Sequence, residues 1–301
     1  MARNTVKTIV AALACTGALL VAGCGSDAGS SSDDATEKSS APLFSALPDD
    51  IQQAGKIVIG SSIDYPPFEY YAEDGKTLQG FETELATELE KQLGVTFEWQ
   101  NASFDTLFTA LRSGRYDIVY GATNDTLERE QLFDFVDYLQ SSQGFVSKAG
   151  NPEGIKTIED ICGKNIAVVR GGIQGQFLEA QSGECTKAGK PAINVLAFDG
   201  NSGEQLAVKQ GQAAAMLENY PTAVTFAKES KGELEVVPNL QVSKRYFGMV
   251  VPKDDTELRD ALQKAWQAIM DDGSYDKVLE KWGLGEIGID KAQINAVKSE
   301  S

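Results

Sequence analysis

From residue 55 onward, short apolar runs rich in β-formers alternate with amphipathic helical runs, and glycines close the helices. "KIVIG" reads as a strand. "GFETELATELEKQLG" follows, with Phe81, Leu85, Leu89 and Leu93 at four-residue spacing and Gly94 as its stop. "VTFEW" is a strand. "SFDTLFTALRSG" is a helix with Ser103 as N-cap, Leu107, Phe108 and Leu111 as its apolar stripe, and Gly114 beyond its end. "YDIVYG" returns to strand. Consecutive parallel strands need a crossover, and a helix is the usual one, so this alternation predicts an α/β chain with a mainly parallel sheet. There is also a weak echo: "LFTALRSGRYDIVYG" and "EQLAVKQGQAAAMLE" share the order helix, glycine, turn, buried strand, which reads as one unit in each of two lobes or as a coincidence of common α/β grammar. Near the end, Leu258, Leu262, Trp266 and Ile269 form one stripe of a long helix, and Asp272-Gly273 separates it from a shorter one. A Trp stripe at this spacing belongs to a core.

At 301 residues the chain can bury a sizeable core and form two lobes. Its formal net charge of -17 argues against nucleic acid as a partner, because phosphates would be repelled over most of the surface. There is no histidine. This removes the commonest general base and any His-ligated metal site, and no cofactor is expected.

The N-terminus reads as a leader. Arg3 and Lys7 precede the apolar "TIVAALACTGALLVAG", which runs into Gly23-Cys24. This looks like a bacterial lipoprotein box: residues 1–23 a signal peptide, and Cys24 carrying lipid at the membrane surface. An ordinary secretory signal cleaved nearby is the alternative. "GSDAGSSSDDATEKSSAP" has no large apolar residue, so residues 24–50 are expected to be a flexible tether. Cys162 and Cys185 then remain as an even pair in an oxidising compartment, and a disulfide is the natural reading, with two buried free thiols as the alternative.

"NIAVVRGGIQGQFLEA" reads as strand, glycine-rich turn and helix. Its spacing is Gly-Gly-x-x-Gly, and no P-loop Lys-Ser/Thr follows, so a nucleotide is disfavoured. A helix start of this kind can instead hold another anion, or serve only as a turn.

These blocks together resemble the family 3 extracellular solute-binding proteins, the polar amino acid receptors of ABC importers. The resemblance rests on "YPPFEY", "GFETELATELEKQLG", "SGRYDIVYGATNDTLERE", "FVDYLQSSQGF", "GKNIAVVRGGIQ" and "DDGSYDKVLEKWG", in the family's order, over residues 55 to 290. The Cys162–Cys185 pairing resembles actinobacterial lipoprotein members. The resemblance implies a two-lobed periplasmic-binding-protein-like fold, with residues 51–142 plus 246–301 as lobe 1 and 143–245 as lobe 2. It also implies a small-molecule ligand in the cleft, an ABC permease as partner, and a monomer.

It assigns site residues as well. Arg129, in "NDTLERE", falls where the family clamps the ligand's carboxylate, and the turn at Gly172, Ile173 and Gln174 would add backbone donors. Tyr65, Phe68 and Phe104 would wall the ligand's side chain, while Gly121, Ala122 and Asn124 would meet its amino group. Five positions depart from the pattern. Ser62 stands where binders of basic amino acids tend to carry Asp, which argues against Lys or Arg as ligand. Gly172-Ile173 replaces Thr-Thr, and Asn124 replaces Ser or Thr. Asn219 replaces the Asp that pairs with the α-ammonium, and Glu218 should point away if its strand continues. Either Glu218 or Glu69 supplies that charge by a local shift, the bound amine is wetter than in relatives, or the ligand is an amino acid derivative. A binding protein leads; a dehydratase-like enzyme or a sensory domain on the same scaffold are the alternatives.

Overall fold

The structure, a computed structural model, describes residues 40–298. The leader, Cys24 and most of the tether lie outside the described residues. The tether's expected end packs onto the fold. Leu43, Phe44 and Leu47 interrupt the polar run, Leu47 is buried, and the Leu43 N–H donates to Gln92 O at 2.9 Å.

Helix α1 (Asp49–Ala54) leads into β1 (Lys56–Ser61), then β2 (Asp64–Tyr65), β3 (Glu69–Tyr71) and β4 (Leu78–Gln79) form a small separate sheet. There follow α2 (Phe81–Leu93), β5 (Thr96–Asn101), α3 (Phe104–Arg112), β6 (Ile118–Val119), α4 (Leu127–Glu130) and the long β7 (Phe133–Lys148). Next come β8 (Asn165–Val169), α5 (Ile173–Lys187), β9 (Asn194–Phe198), α6 (Asn201–Lys209), β10 (Ala215–Asn219), α7 (Tyr220–Glu229) and a second long strand, β11 (Leu234–Pro252). Helices α8 (Thr256–Asp271) and α9 (Ser274–Lys281) and strand β12 (Gly288–Ile294) complete it.

The large sheet runs β5-β1-β6-β11-β7-β10-β8-β9, with β12 added to β7. It is two parallel blocks joined by an antiparallel ribbon. β1 is parallel to β5 and β6, and β8 is parallel to β9 and β10, whereas β7 and β11 pair antiparallel through the middle. Each block has its own core. Around the first, Phe81, Leu85, Leu89 and Leu93 of α2 and Leu258, Leu262, Trp266 and Ile269 of α8 are all fully buried, as their periodicity requires. Trp266 stacks on Tyr138 with ring centroids 4.3 Å apart. The second block has cores on both faces of its sheet, drawn from residues between Phe145 and Val242. The Cys162–Cys185 disulfide lies there, with a Cα–Cα distance of 5.6 Å.

The repeated unit seen in the sequence is present once in each block. α3 ends at a left-handed Gly114 (φ 73°) before β6, and α6 at Gly211 (φ 74°) before β10. β6 and β10 run in opposite directions along the ribbon, so their carboxyl ends point toward each other, at the middle of β7.

Candidate functional site

Ligands of open α/β sheets sit beyond the carboxyl ends of the parallel strands. Here the ends of β1, β6, β8 and β10 surround one cavity, lined by Ser62, Gly121, Ala122, Val169, Gly172, Glu218 and Asn219. Counted out to its mouth, the recess holds about 490 Å³ free of protein atoms.

Side-chain contacts link the two blocks around it. The Tyr65 hydroxyl donates to Glu218 Oε2, and the Asn219 N–H donates to the Tyr65 oxygen at 3.3 Å. Asn201, at the start of α6, donates from its N–H to Asp64 Oδ2 (3.2 Å) and from Nδ2 to Asp64 O (3.1 Å). Gln176 of α5 reaches Glu128 of α4 at 2.9 Å.

Arg129 is set by α4. Thr126 caps that short helix, its hydroxyl accepting from the Arg129 N–H at 3.2 Å. The guanidinium lies 4.6 Å from the Phe108 ring centroid and 5.5 Å from that of Phe104. It donates from Nη1 to Asn124 O (2.7 Å) and from Nη2 to Gly171 O across the cleft (3.1 Å). Burial lowers its pKa to about 10, against the opposing pull of Glu128 and Asp125, so it stays charged at neutral pH. A desolvated cation without a carboxylate in contact is suited to a bidentate anion. Gly172, Ile173 and Gln174 line the same cavity where α5 begins, and Gln174 Nε2 donates to Gln143 Oε1 at 2.7 Å. Arg170 turns outward to Asp199 at 3.1 Å.

The cavity is also acidic. Asp64, Glu69 and Glu218 line it, together with the amide side chains of Asn201 and Asn219, whose Oδ1 atoms have no partner among the described residues. Each carboxyl is raised above the usual range, with burial the largest cause. Glu69 and Glu218 are each 1% exposed and each faces a second buried carboxyl, Glu82 and Glu204 respectively. Gly121 permits the first of these pairs. Its φ is 138°, and a Cβ there would stand 2.3 Å from Glu69 Oε1.

Tyr65, Phe104, Gly121, Ala122, Asn124, Arg129, Gly172, Ile173, Gln174 and Asn219 thus come together on one cavity. Phe68 does not. It is fully buried and packs on Phe81 (4.8 Å) and Phe247 (5.5 Å), because the loop turns it under the cavity floor. Glu218 does face the cavity. β10 ends at Asn219, which caps α7, so strand alternation does not carry through this pair. Glu69, named from the sequence as an alternative source of charge, lines the cavity too. Asp64 and Asn201 were missed. Asp64 adjoins "YPPF" and could have been marked by charge, whereas nothing local marks Asn201.

Residues 57–285 match the family model of bacterial extracellular solute-binding proteins, family 3. The chain belongs to that family. It is 28% identical over 250 residues to the arginine-binding protein ArgT of Corynebacterium glutamicum, covering 83% of this chain and 81% of that one. It is 32% identical over 236 residues to the arginine-binding extracellular protein ArtP of Bacillus subtilis, covering 77% and 87%. Among solved structures, an ancestral arginine-binding protein bound to arginine superposes with a TM-score of 0.69 at 32% identity, covering 76% of this chain and 98% of that one. Like these relatives, this family 3 member is a binding protein and not an enzyme.

Proposed function

We propose that this protein is the substrate-binding component of an amino acid ABC importer, and that it captures its ligand between two lobes, residues 51–142 plus 246–301 and residues 143–245. Cys24 carries the lipid that holds it, as a monomer, at the outer face of the cell membrane near its permease. One observation carries the ligand reading: a single cavity is lined by Arg129 and by the carboxyls of Asp64 and Glu218. The first suits a carboxylate. The second suits a cation with several N–H donors, since Asn201 and Asn219 also offer free acceptor oxygens.

The serine at position 62 argued against a basic ligand. Asp64, two residues on, and Glu218 bring the missing negative charge to the same cavity. We therefore favour an α-amino acid with a cationic side chain, a reading that the names of the arginine-binding relatives support. Calorimetry with L-arginine, L-lysine, L-glutamine and L-cystine tests it. L-arginine should bind most tightly and its des-amino analogue weakly. Equal binding of the des-amino analogue would instead favour a ligand without a free amine.

A further inference from the structure

Glu204 is fully buried in the first turn of α6 and does not line the cavity. Neither of its oxygens has a donor among the described residues, yet its side chain lies within hydrogen-bonding reach of Glu218. Two carboxylates cannot meet in that way; a proton must sit between them. Glu218 Oε2 already accepts from the Tyr65 hydroxyl, whereas Glu204 accepts from nothing. The proton therefore resides on Glu204, which donates to Glu218 and leaves the cavity-facing member charged.

We propose that Glu218 receives the cationic end of the ligand, and that Glu204 is its positioning residue, a buried protonated acid that aims Glu218 and keeps the pair at a single negative charge. The proposal rests on the amino acid reading above. Asn219 offers an amide where a carboxylate would give charge, and the pair supplies that charge one residue earlier, from behind. The titratable groups bearing on the pair are Asp64 and Tyr65 of β2; β7 presents Gly144 opposite Glu218. Burial raises both glutamates, and the hydrogen bond from Glu204 pulls Glu218 back down. The cation is bound by ionised Glu218, so affinity is present above its pKa in the folded protein and lost as pH falls through it.

The test is titration calorimetry of the full chain with L-arginine at several pH values, using Glu218→Gln, Glu204→Gln and Glu204→Leu, with melting curves to confirm folding. Glu218→Gln should weaken binding at least about tenfold, the loss of a hydrogen bond to a charged group. It should also remove the upper step of the acid fall-off. Asp64 and Glu69 titrate on the same cavity, so the readout is the difference between variants. Glu204→Leu should weaken binding about tenfold and move that step to higher pH, because the donor favouring charged Glu218 is gone. Glu204→Gln still donates and should stay within about threefold of wild type, with the step unmoved.

Equal affinity and equal midpoints for Glu204→Leu and Glu204→Gln would reduce Glu204 to packing and overturn the inference. So would unchanged L-arginine binding in Glu218→Gln alongside its loss in Arg129→Ala, an outcome that leaves the amino acid reading standing. If the wild-type protein binds no amino acid, that reading falls first, and this one with it.

Discussion

Removing Arg129 is the sharpest test of the carboxylate subsite. Two of its donors are committed to Asn124 O and Gly171 O, and its plane is held against Phe104 and Phe108. The remaining edge can meet a carboxylate with two charge-assisted bonds, each about 1.5–3 kcal/mol. Losing both costs about 3–6 kcal/mol, and removal of a desolvated cation refunds part of it. Arg129→Ala should therefore weaken L-arginine binding by about 3 kcal/mol, on the order of 100-fold in Kd. Arg129→Lys should recover little. The fork and the ring stacking are lost, and burial acting on a starting pKa of about 10.4 would leave the amine partly neutral. Calorimetry with L-arginine and L-argininamide on both proteins closes a cycle. If the guanidinium meets the carboxylate, amidation costs wild type much more than it costs Arg129→Ala. Losses that simply add would refute the contact, because independent groups do not couple.

Other outcomes follow from features away from that contact. Cys162→Ser with Cys185→Ser opens a loop spanning a sequence separation of 23 and should lower unfolding free energy by about 3 kcal/mol in urea titrations; an unchanged midpoint would show that the bridge contributes nothing. Cys24→Ala should move the protein from the membrane fraction to the soluble one; if it stays membrane-bound, the anchor is elsewhere. Asp125 is pushed up to about 10 by burial and by neighbouring Asp137, itself raised to about 7. Its folded pKa exceeds the unfolded one, so the stability it contributes is full at low pH and is lost as pH rises toward that raised value. Asp125→Asn should therefore gain more stability relative to wild type at about pH 9 than at about pH 5, measured by urea titration.

Helices and their ends were legible because burial imposes a period and a left-handed stop demands glycine: Gly94 at φ 69° and Gly273 at φ 77° stand where the pattern stops. The cysteine pair was legible from compartment and parity. What the chain could not announce were contacts between segments far apart in sequence. Asp64 meets Asn201 across 137 positions and Tyr65 meets Glu218 across 153. Neither leaves a local mark. Phe68 was misplaced because an aromatic beside Pro66-Pro67 serves a core as well as a ligand wall. Glu218 was misplaced because alternation is a property of continuing strands, and β10 was about to become α7.

The cavity carries a second carboxyl pair whose chemistry runs the other way. In Glu69–Glu82 the hidden member has most of the donors, Glu69 accepting only from the Ser61 hydroxyl among the described residues (3.2 Å). The Ala122 N–H donates to Glu82 Oε1 and Oε2 at 3.3 and 3.1 Å, and the Tyr138 hydroxyl donates to Oε1. Those bonds favour charge on Glu82, which burial raises to about 7, and the contact with Glu82 pulls the other way on Glu69, which is raised well above the usual carboxyl range, first by burial and then by Glu82. Near neutrality Glu69 therefore keeps the proton and presents a neutral carboxyl, even though a count of side chains would score it as an anion. Glu204 has no such donors, so in the other pair the charge comes forward to Glu218. Two pairs of the same composition thus offer a cation unequal partners. At pH 7, Glu69→Gln exchanges one neutral donor for another and should cost less than about threefold in L-arginine affinity, where Glu218→Gln costs at least about tenfold. Calorimetry on the two variants decides it: equal losses would mean that both cavity-facing carboxyls are ionised, and that the donors to Glu82 do not govern where the proton sits.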